Sequence, residues 1–192
     1  MKALYEFAAE VQAFLEQQNW QFCFIGGVAV QRWSEARVTQ DVDLTLLTGF
    51  GNEENYVDRL LSRFEPRIAD ARNFALQRRV LLLCSRDKNI GLDVALGAFP
   101  FEKSAVERAV NFQFLPNVRL RICTAEDLIV FKVFAGRAVD WRDVEMTIAR
   151  QGEARLDWNY IRAQLQPLLE LKGQLEVLDD LQKLRSKIRE DR

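Results

Sequence analysis

The chain has 192 residues, 48% of them hydrophobic and 29% charged, with a formal net charge of −1. That length and balance suit one sizeable core, or a core with a smaller second lobe. They exclude any global attraction to nucleic acid or an anionic membrane, so a nucleic-acid partner would need a local basic groove. Histidine is absent, which removes Ser-His-Asp and Cys-His nucleophile systems, imidazole zinc sites and histidine proton shuttles; acid–base and metal chemistry must rest on Asp, Glu, Lys, Tyr or Cys.

Leu4, Phe7, Ala8, Val11, Phe14 and Leu15 recur at helical spacing, with Glu6, Glu10 and Glu16 elsewhere on the surface. Residues 3–18 therefore read as an amphipathic helix packed on a core, and not as a signal peptide. No apolar run reaches the roughly 18–20 residues needed to span a membrane. Cys23, Cys84 and Cys123 lie in or at the end of apolar, strand-like runs and form no CxxC. They read as small buried hydrophobes in a reducing compartment, and the expected localisation is cytoplasmic.

Residues 21–25 form a short buried strand that stops at Gly26-Gly27, and Val28–Ser34 suit a short helix. A second strand covers 42–47. Tyr56, Leu60, Leu61 and Phe64 mark a helix that stops before Pro66. Arg79–Cys84 and Ile90–Leu96 read as the arms of a hairpin around Asp87-Lys88-Asn89. Phe101, Ala105, Val106, Ala109 and Val110 suit a helix after Pro100, and Val118–Cys123 is another strand. At Thr124 the pattern becomes helical, over roughly 125–136, 140–151, 157–170 and 174–190. Thr124 stands as the capping residue, and Gly136, Gly152 and Gly173 sit at the breaks. The expected architecture is an α/β (α+β) fold: a small mixed sheet flanked by helices over residues 1–123, then a helical lobe over 124–192 that completes a cleft.

Three carboxylates carry the chemical argument. In a strand, Asp41 and Asp43 point to one face, about 6–7 Å apart. Asp93 lies in an apolar run between Leu92 and Val94, where a carboxylate without a partner costs several kcal/mol. If that strand lies beside 42–47, the three cluster and one carboxyl rises in pKa unless a cation is present. A divalent ion resolves the repulsion and, as a pair of ions, polarises phosphorus. Gly26-Gly27 ends a buried strand and opens a helix, where backbone N–H groups can approach an anion that a Cβ would obstruct.

These residues resemble the polymerase-β-type nucleotidyltransferase superfamily: Gly26-Gly27, a short helix with Arg37 and Thr39 after it, Asp41-x-Asp43, and Asp93 on a later strand. The segment DLIVFKVFAGRAVDWRDVE, residues 127–145, with Lys132, Ala135, Arg137, Asp140 and Asp143, looks closest to the bacterial branch of abortive-infection (AbiE-type) toxin nucleotidyltransferases. The resemblance spans about residues 20–150. It implies that Gly26 and Gly27 cradle a triphosphate and that Asp41 and Asp43 bind two Mg²⁺ (or Mn²⁺). Asp93 binds the second metal and helps deprotonate the incoming hydroxyl, Lys132 contacts nucleotide phosphates, and Asp140 lies near nucleotide or acceptor. Arg37 and Thr39 are within reach of phosphate or simply exposed.

The implied reaction is attack on the α-phosphate of an NTP with release of pyrophosphate. The acceptor would be tRNA, a protein hydroxyl or a small molecule, and an antitoxin protein is a possible partner; no membrane is implied. A non-catalytic nucleotide-binding or protein-interaction module retaining the fold is the alternative. Members often carry a hydroxyl residue just after the first glycine positions; here Gly27-Val28-Ala29 lacks it. Lys132 in its apolar run either snorkels or meets an anion. The acids after Arg137 also suit a plain helix start. The stripe Leu175, Leu178, Leu181, Leu184 and Ile188 suits packing within the helical lobe, or a partner surface.

Overall fold

A computed structural model of the chain describes residues 1–86 and 90–190. It begins with α1 (Lys2–Gln17), β1 (Phe22–Phe24), α2 (Gly26–Trp33), β2 (Asp41–Leu47), α3 (Glu53–Arg63) and the two-residue β3 (Glu65–Pro66). Then follow α4 (Ala71–Arg78), β4 (Val80–Cys84), β5 (Gly91–Gly97), α5 (Pro100–Arg108), β6 (Val110–Leu115) and β7 (Val118–Ile122). The chain closes with α6 (Ala125–Ala135), α7 (Ala138–Gln151), a 3-10 turn at Glu153–Arg155, α8 (Trp158–Lys172) and α9 (Val177–Glu190). The expected turn at Asp87-Lys88-Asn89 lies outside the described residues. Among the described residues, no helix is long and apolar enough to cross a membrane.

Two compact units divide the chain: Met1–Val28 with Val38–Cys123, and Ala29–Arg37 with Thr124–Arg192. The first contains one mixed sheet in the order β3-β4-β5-β2-β1-β7-β6. β2 runs parallel to β5 and antiparallel to β1, while β4 is antiparallel to β5, the pairing expected of the hairpin arms. Strand alternation divides β2 and β5 into two faces. Val42, Leu44, Leu46, Leu92, Val94 and Leu96 are buried on one of them, in register with Leu81 and Leu83 of β4. On the other face Asp41, Asp43 and Asp93 are half-buried. α1 packs on the sheet through Leu4, Phe7, Ala8, Val11 and Leu15, all buried as the helical spacing required.

Three elements differ from the sequence expectation. Gly26 and Gly27 belong to α2 and do not form a turn ahead of it. Ala71–Arg78 is helical although no helix is expected there; it buries only Ala71 and Ala75, too small a face to give an amphipathic signal. The helix from Pro100 ends at Arg108, and Val110 opens β6. There the apolar i, i+4 spacing of Ala105, Val106, Ala109 and Val110 overlaps the strand alternation of Val110, Phe112 and Phe114, and the sheet edge prevails.

The second unit holds α6 to α9 and most of α2. α6 packs against α7 and α8, and α9 against α7 and α8. Gly136 and Gly173 terminate α6 and α8 with left-handed backbone. Pro167 lies inside α8 without ending it. Of the C-terminal stripe, Leu181 and Ile188 are buried while Leu175 is exposed.

Thr124 caps α6 as its sequence suggests. Its Oγ1 accepts the Asp127 N–H at 3.2 Å, and the Asp127 carboxylate accepts the Thr124 hydroxyl at 2.6 Å. Tyr160 of α8 donates to the same carboxylate at 2.6 Å, which joins the cap to the next helix but one. Thr124→Ala is expected to lower stability by about 1 kcal/mol, and Thr124→Ser by much less, in urea melts followed by circular dichroism.

Candidate active site

The carboxylate face follows from strand register. Asp43 of β2 stands directly opposite Asp93 of β5, and Asp41 stands opposite Gly91. Neighbouring strands are about 4.8 Å apart, so the three acids expected to cluster share one patch of one face. Burial pushes the Asp93 carboxyl up to about 6; the nearby Arg67 guanidinium opposes that rise, and the charges of Asp43 and Asp41 add to it. Repulsion among clustered acids was the expected cause of such a rise; here burial is the larger cause and the neighbouring carboxylates add less.

The glycine pair is shaped by its contacts with this face. Gly26 has φ +50°, and a Cβ there would lie 2.6 Å from Cγ of Asp43. A Cβ on Gly27 would lie 2.7 Å from Cβ of Thr39. Gly27 donates its backbone N–H to Oδ2 of Asp43 at 3.1 Å, and Ile25 donates its N–H to the Asp43 carbonyl at 2.9 Å. The N-terminus of α2 thus receives an anion, as helix N-termini favour, and that anion is Asp43. Thr39 donates its hydroxyl to the Asp41 carbonyl at 3.3 Å. Gly26, Gly27, Thr39, Asp41, Asp43 and Asp93 are therefore brought together in the first unit.

One residue of this cluster escaped the sequence reading. Arg67, just past β3, donates from Nη1 to Oδ1 of Asp41 at 3.4 Å and from Nη2 to Oδ1 of Asp93. Its backbone N–H is bound to the Leu82 carbonyl at 3.0 Å, and Leu82 is the cross-strand neighbour of Asp93. An arginine after a proline in a loop-like stretch carries no signal of its own. Gly91 at the start of β5 is a local hint, since glycine in a strand often marks a close approach.

Arg37, Lys132 and Asp140 belong to the second unit, where they form a separate network. Lys132 Nζ lies 2.7 Å from Oδ1 of Asp140 and 2.8 Å from Oδ2 of Asp143. Arg37 grips Asp143 with two bonds, Nε to Oδ1 at 2.8 Å and Nη2 to Oδ2 at 2.9 Å. Arg137 binds Asp140 through Nε at 2.6 Å, through Nη2 at 3.1 Å and through its backbone N–H at 3.2 Å. Asp140 thus also caps α7, as the helix-start reading required. The side chains of Lys132, Asp140 and Asp143 are 7%, 0% and 4% exposed, so the anions met by the lysine are internal ones. Burial pushes both aspartates up. Hydrogen bonds from Arg137 and Lys132 to Asp140, and from Arg37 and Lys132 to Asp143, outweigh it and hold both carboxyls below the usual range.

The oxygen-only donor set of Asp41, Asp43 and Asp93 is chemically that of a hard divalent cation such as Mg²⁺ or Mn²⁺. As the side chains stand, no group of three or more His, Cys, Asp or Glu among the described residues is arranged to hold a metal ion. The cluster fits a cation in its chemistry, and in this arrangement Arg67 provides the positive charge.

Comparisons with known proteins agree with this architecture. No protein-family model matches the chain, and no curated protein matches it in sequence. Among solved structures, it is similar to an antigenic nucleotidyltransferase-like protein from Paracoccidioides brasiliensis, at 15% identity and a TM-score of 0.53, over 95% of this chain and 92% of that one. It is also similar to the antibiotic-resistance factor ANT(2'')-Ia, at 16% identity and a TM-score of 0.56, over 91% of this chain and 96% of that one. The chain has a nucleotidyltransferase-like fold.

Gly49, like Gly26, has left-handed backbone, but a Cβ there would meet nothing within 4 Å. Gly49→Ala should cost about 1–2 kcal/mol from backbone strain alone. Gly26→Ala should exceed it by about 1–3 kcal/mol from the collision with Asp43; equal losses in denaturant melts would mean that Asp43 moves aside freely.

Lys132→Met should destabilise the protein by about 3–5 kcal/mol, because two carboxylates lose a buried partner. The depressed carboxyls of Asp140 and Asp143 contribute stability that is complete above their unfolded value of about 4 and is lost as pH falls through their lower folded values. Melting temperatures should therefore drop steeply below about pH 4, and Asp143→Asn should flatten that fall.

Proposed function

We propose that the chain is a metal-dependent nucleotidyltransferase, which moves an NMP from an NTP to a hydroxyl acceptor. The observation that carries the reading is the in-register pair Asp43–Asp93, with Asp41 on the same face and the start of α2 touching Asp43. The fold points the same way. In this reading residues 1–123 form the transfer domain and 124–192 a helical domain.

Asp41, Asp43 and Asp93 would hold the divalent ions, which when bound neutralise phosphate charge and polarise the α-phosphorus. Gly26 and Gly27 let the backbone at the start of α2 approach the triphosphate, where any Cβ would intrude. Thr39, beside Gly27, borders the same approach. Asp93 receives the proton of the acceptor hydroxyl. The acceptor oxygen forms its bond to the α-phosphorus as the bond to pyrophosphate breaks, and pyrophosphate departs. Positioning and charge neutralisation supply most of the acceleration, as in phosphoryl transfer generally.

Arg37, Lys132 and Asp140 serve this reading as a scaffold. Their charges are engaged with one another and with Asp143 and Arg137, which fixes α6 and α7; contact with nucleotide phosphates would require those pairs to open. The acceptor classes are tRNA, a protein hydroxyl or a small molecule. The lysine–aspartate segment supports an AbiE-like toxin role, with an antitoxin as partner.

A second reading, a non-catalytic nucleotide-binding or protein-interaction module, has one observation in its favour. The Gly27 N–H and the outer carboxylates are engaged by groups of the chain itself.

The test is transfer of α-labelled NMP from each of the four NTPs to total RNA, to protein and to small molecules in a cell extract. Labelling should require Mg²⁺ or Mn²⁺. Asp41→Asn and Asp43→Asn should each lower it at least about 100-fold, the scale of losing one group that stabilises a transition state. Nucleotide binding without metal and without any transfer would support the module instead.

A further inference from the structure

Arg67 is the feature that the proposed transfer reaction leaves unexplained. Its guanidinium spans Asp41 and Asp93, the two carboxylates at either end of the cluster. Gly91 provides the room: a Cβ at that position would lie 2.7 Å from Arg67 Nη1 and 2.9 Å from Cγ of Asp41. The backbone of Arg67 is anchored to the strand position beside Asp93. A planar fork with fixed donors suits two carboxylates better than a flexible ammonium does.

Exposure separates this bridge from the one around Lys132. The side chains of Arg67, Asp41 and Asp93 are 30%, 48% and 33% exposed, against 7% or less for Lys132 and its aspartates. An exposed pair is weak and exchangeable, whereas a buried one cannot open without stranding a charge. We propose that Arg67 is an internal stand-in for the divalent cation: it neutralises Asp41 and Asp93 while the ion is away, and the ion must displace it to bind. The inference rests on the metal-dependent reading above. It makes Arg67 a positioning residue that keeps three like charges together at the cost of metal affinity. The carboxylate face is then in one of two neutralised states, guanidinium-bound or metal-bound.

The test uses Mn²⁺ as probe on the full chain, without nucleotide, with the free ion followed by electron paramagnetic resonance and binding by calorimetry. Wild type should bind weakly. Arg67→Gln should bind about tenfold tighter or more, and Arg67→Lys, which keeps the charge but not the fork, should fall between that variant and wild type. Mn²⁺ should also raise the melting temperature of Arg67→Gln more than that of wild type. Unchanged or weaker binding by Arg67→Gln, with binding lost in Asp43→Asn, overturns the role of Arg67 and leaves the metal-dependent reading standing. No Mn²⁺ binding by any of these proteins, with or without ATP, overturns both. A third measurement needs no destabilising change: the Nε–H resonance of Arg67 in wild type, assigned by its loss in Arg67→Lys, should shift on titration with Mg²⁺. A resonance that stays fixed at saturating Mg²⁺ overturns the proposal.

Discussion

A carboxylate removed from water must find a positive partner or take up a proton. That constraint governs both halves of this molecule. In the α/β unit, strand register forces Asp43 against Asp93 and sets Asp41 two residues away on the same face. The chain answers with the N–H of Gly27 on Asp43 and with Arg67 across Asp41 and Asp93. In the helical unit, Asp140 and Asp143 lie inside the helix packing and are met by Arg37, Lys132 and Arg137. At Asp93 the compensation is incomplete, and burial keeps its carboxyl raised.

The two solutions differ in permanence because they differ in access to water. The Lys132 network is closed over by helix packing, and its lost hydration cannot be recovered unless the unit opens. It behaves as part of the core and ties α7 to α6 and to the segment that follows α2. The carboxylate face leaves 48% of the Asp41 side chain and 33% of the Asp93 side chain exposed, so their partner can be exchanged for another of the same sign. A fold that must carry three acids before its proposed cofactor arrives gains from such an interim partner. The glycines belong to the same solution: Gly26 and Gly91 are small because side chains of the acid cluster lie against their backbones.

This also changes the meaning of the motif from which the functional reading starts. Gly26-Gly27 looks in sequence like a turn that frees backbone donors for a phosphate. In the structure the pair is the first turn of α2, and one of its donors is engaged by Asp43. The proposed transferase and the proposed exchange at Arg67 both require the carboxylate face to pass from self-satisfied to ligand-satisfied.

The sequence by itself determined what depends on local period and chain chemistry. Alternation put Asp41 and Asp43 on one face of β2, opposite Val42 and Leu44, and Asp93 on the face of β5 opposite Leu92 and Val94; the pairing of β2 with β5 that joins the two faces is tertiary. Helical spacing marked α1 and the helices after Thr124, and the missing histidine narrowed the chemistry to carboxylates. It did not reveal α4, whose buried face is two alanines, or the end of α5, where helix and strand spacings coincide over Ala109 and Val110. Only the tertiary structure decided which charges meet. Arg67 is 26 residues from both Asp41 and Asp93, and Arg37 is 106 from Asp143. An ion pair between distant segments leaves no periodic trace in a sequence; it exists only because strand pairing and helix packing bring its two ends within a few ångströms.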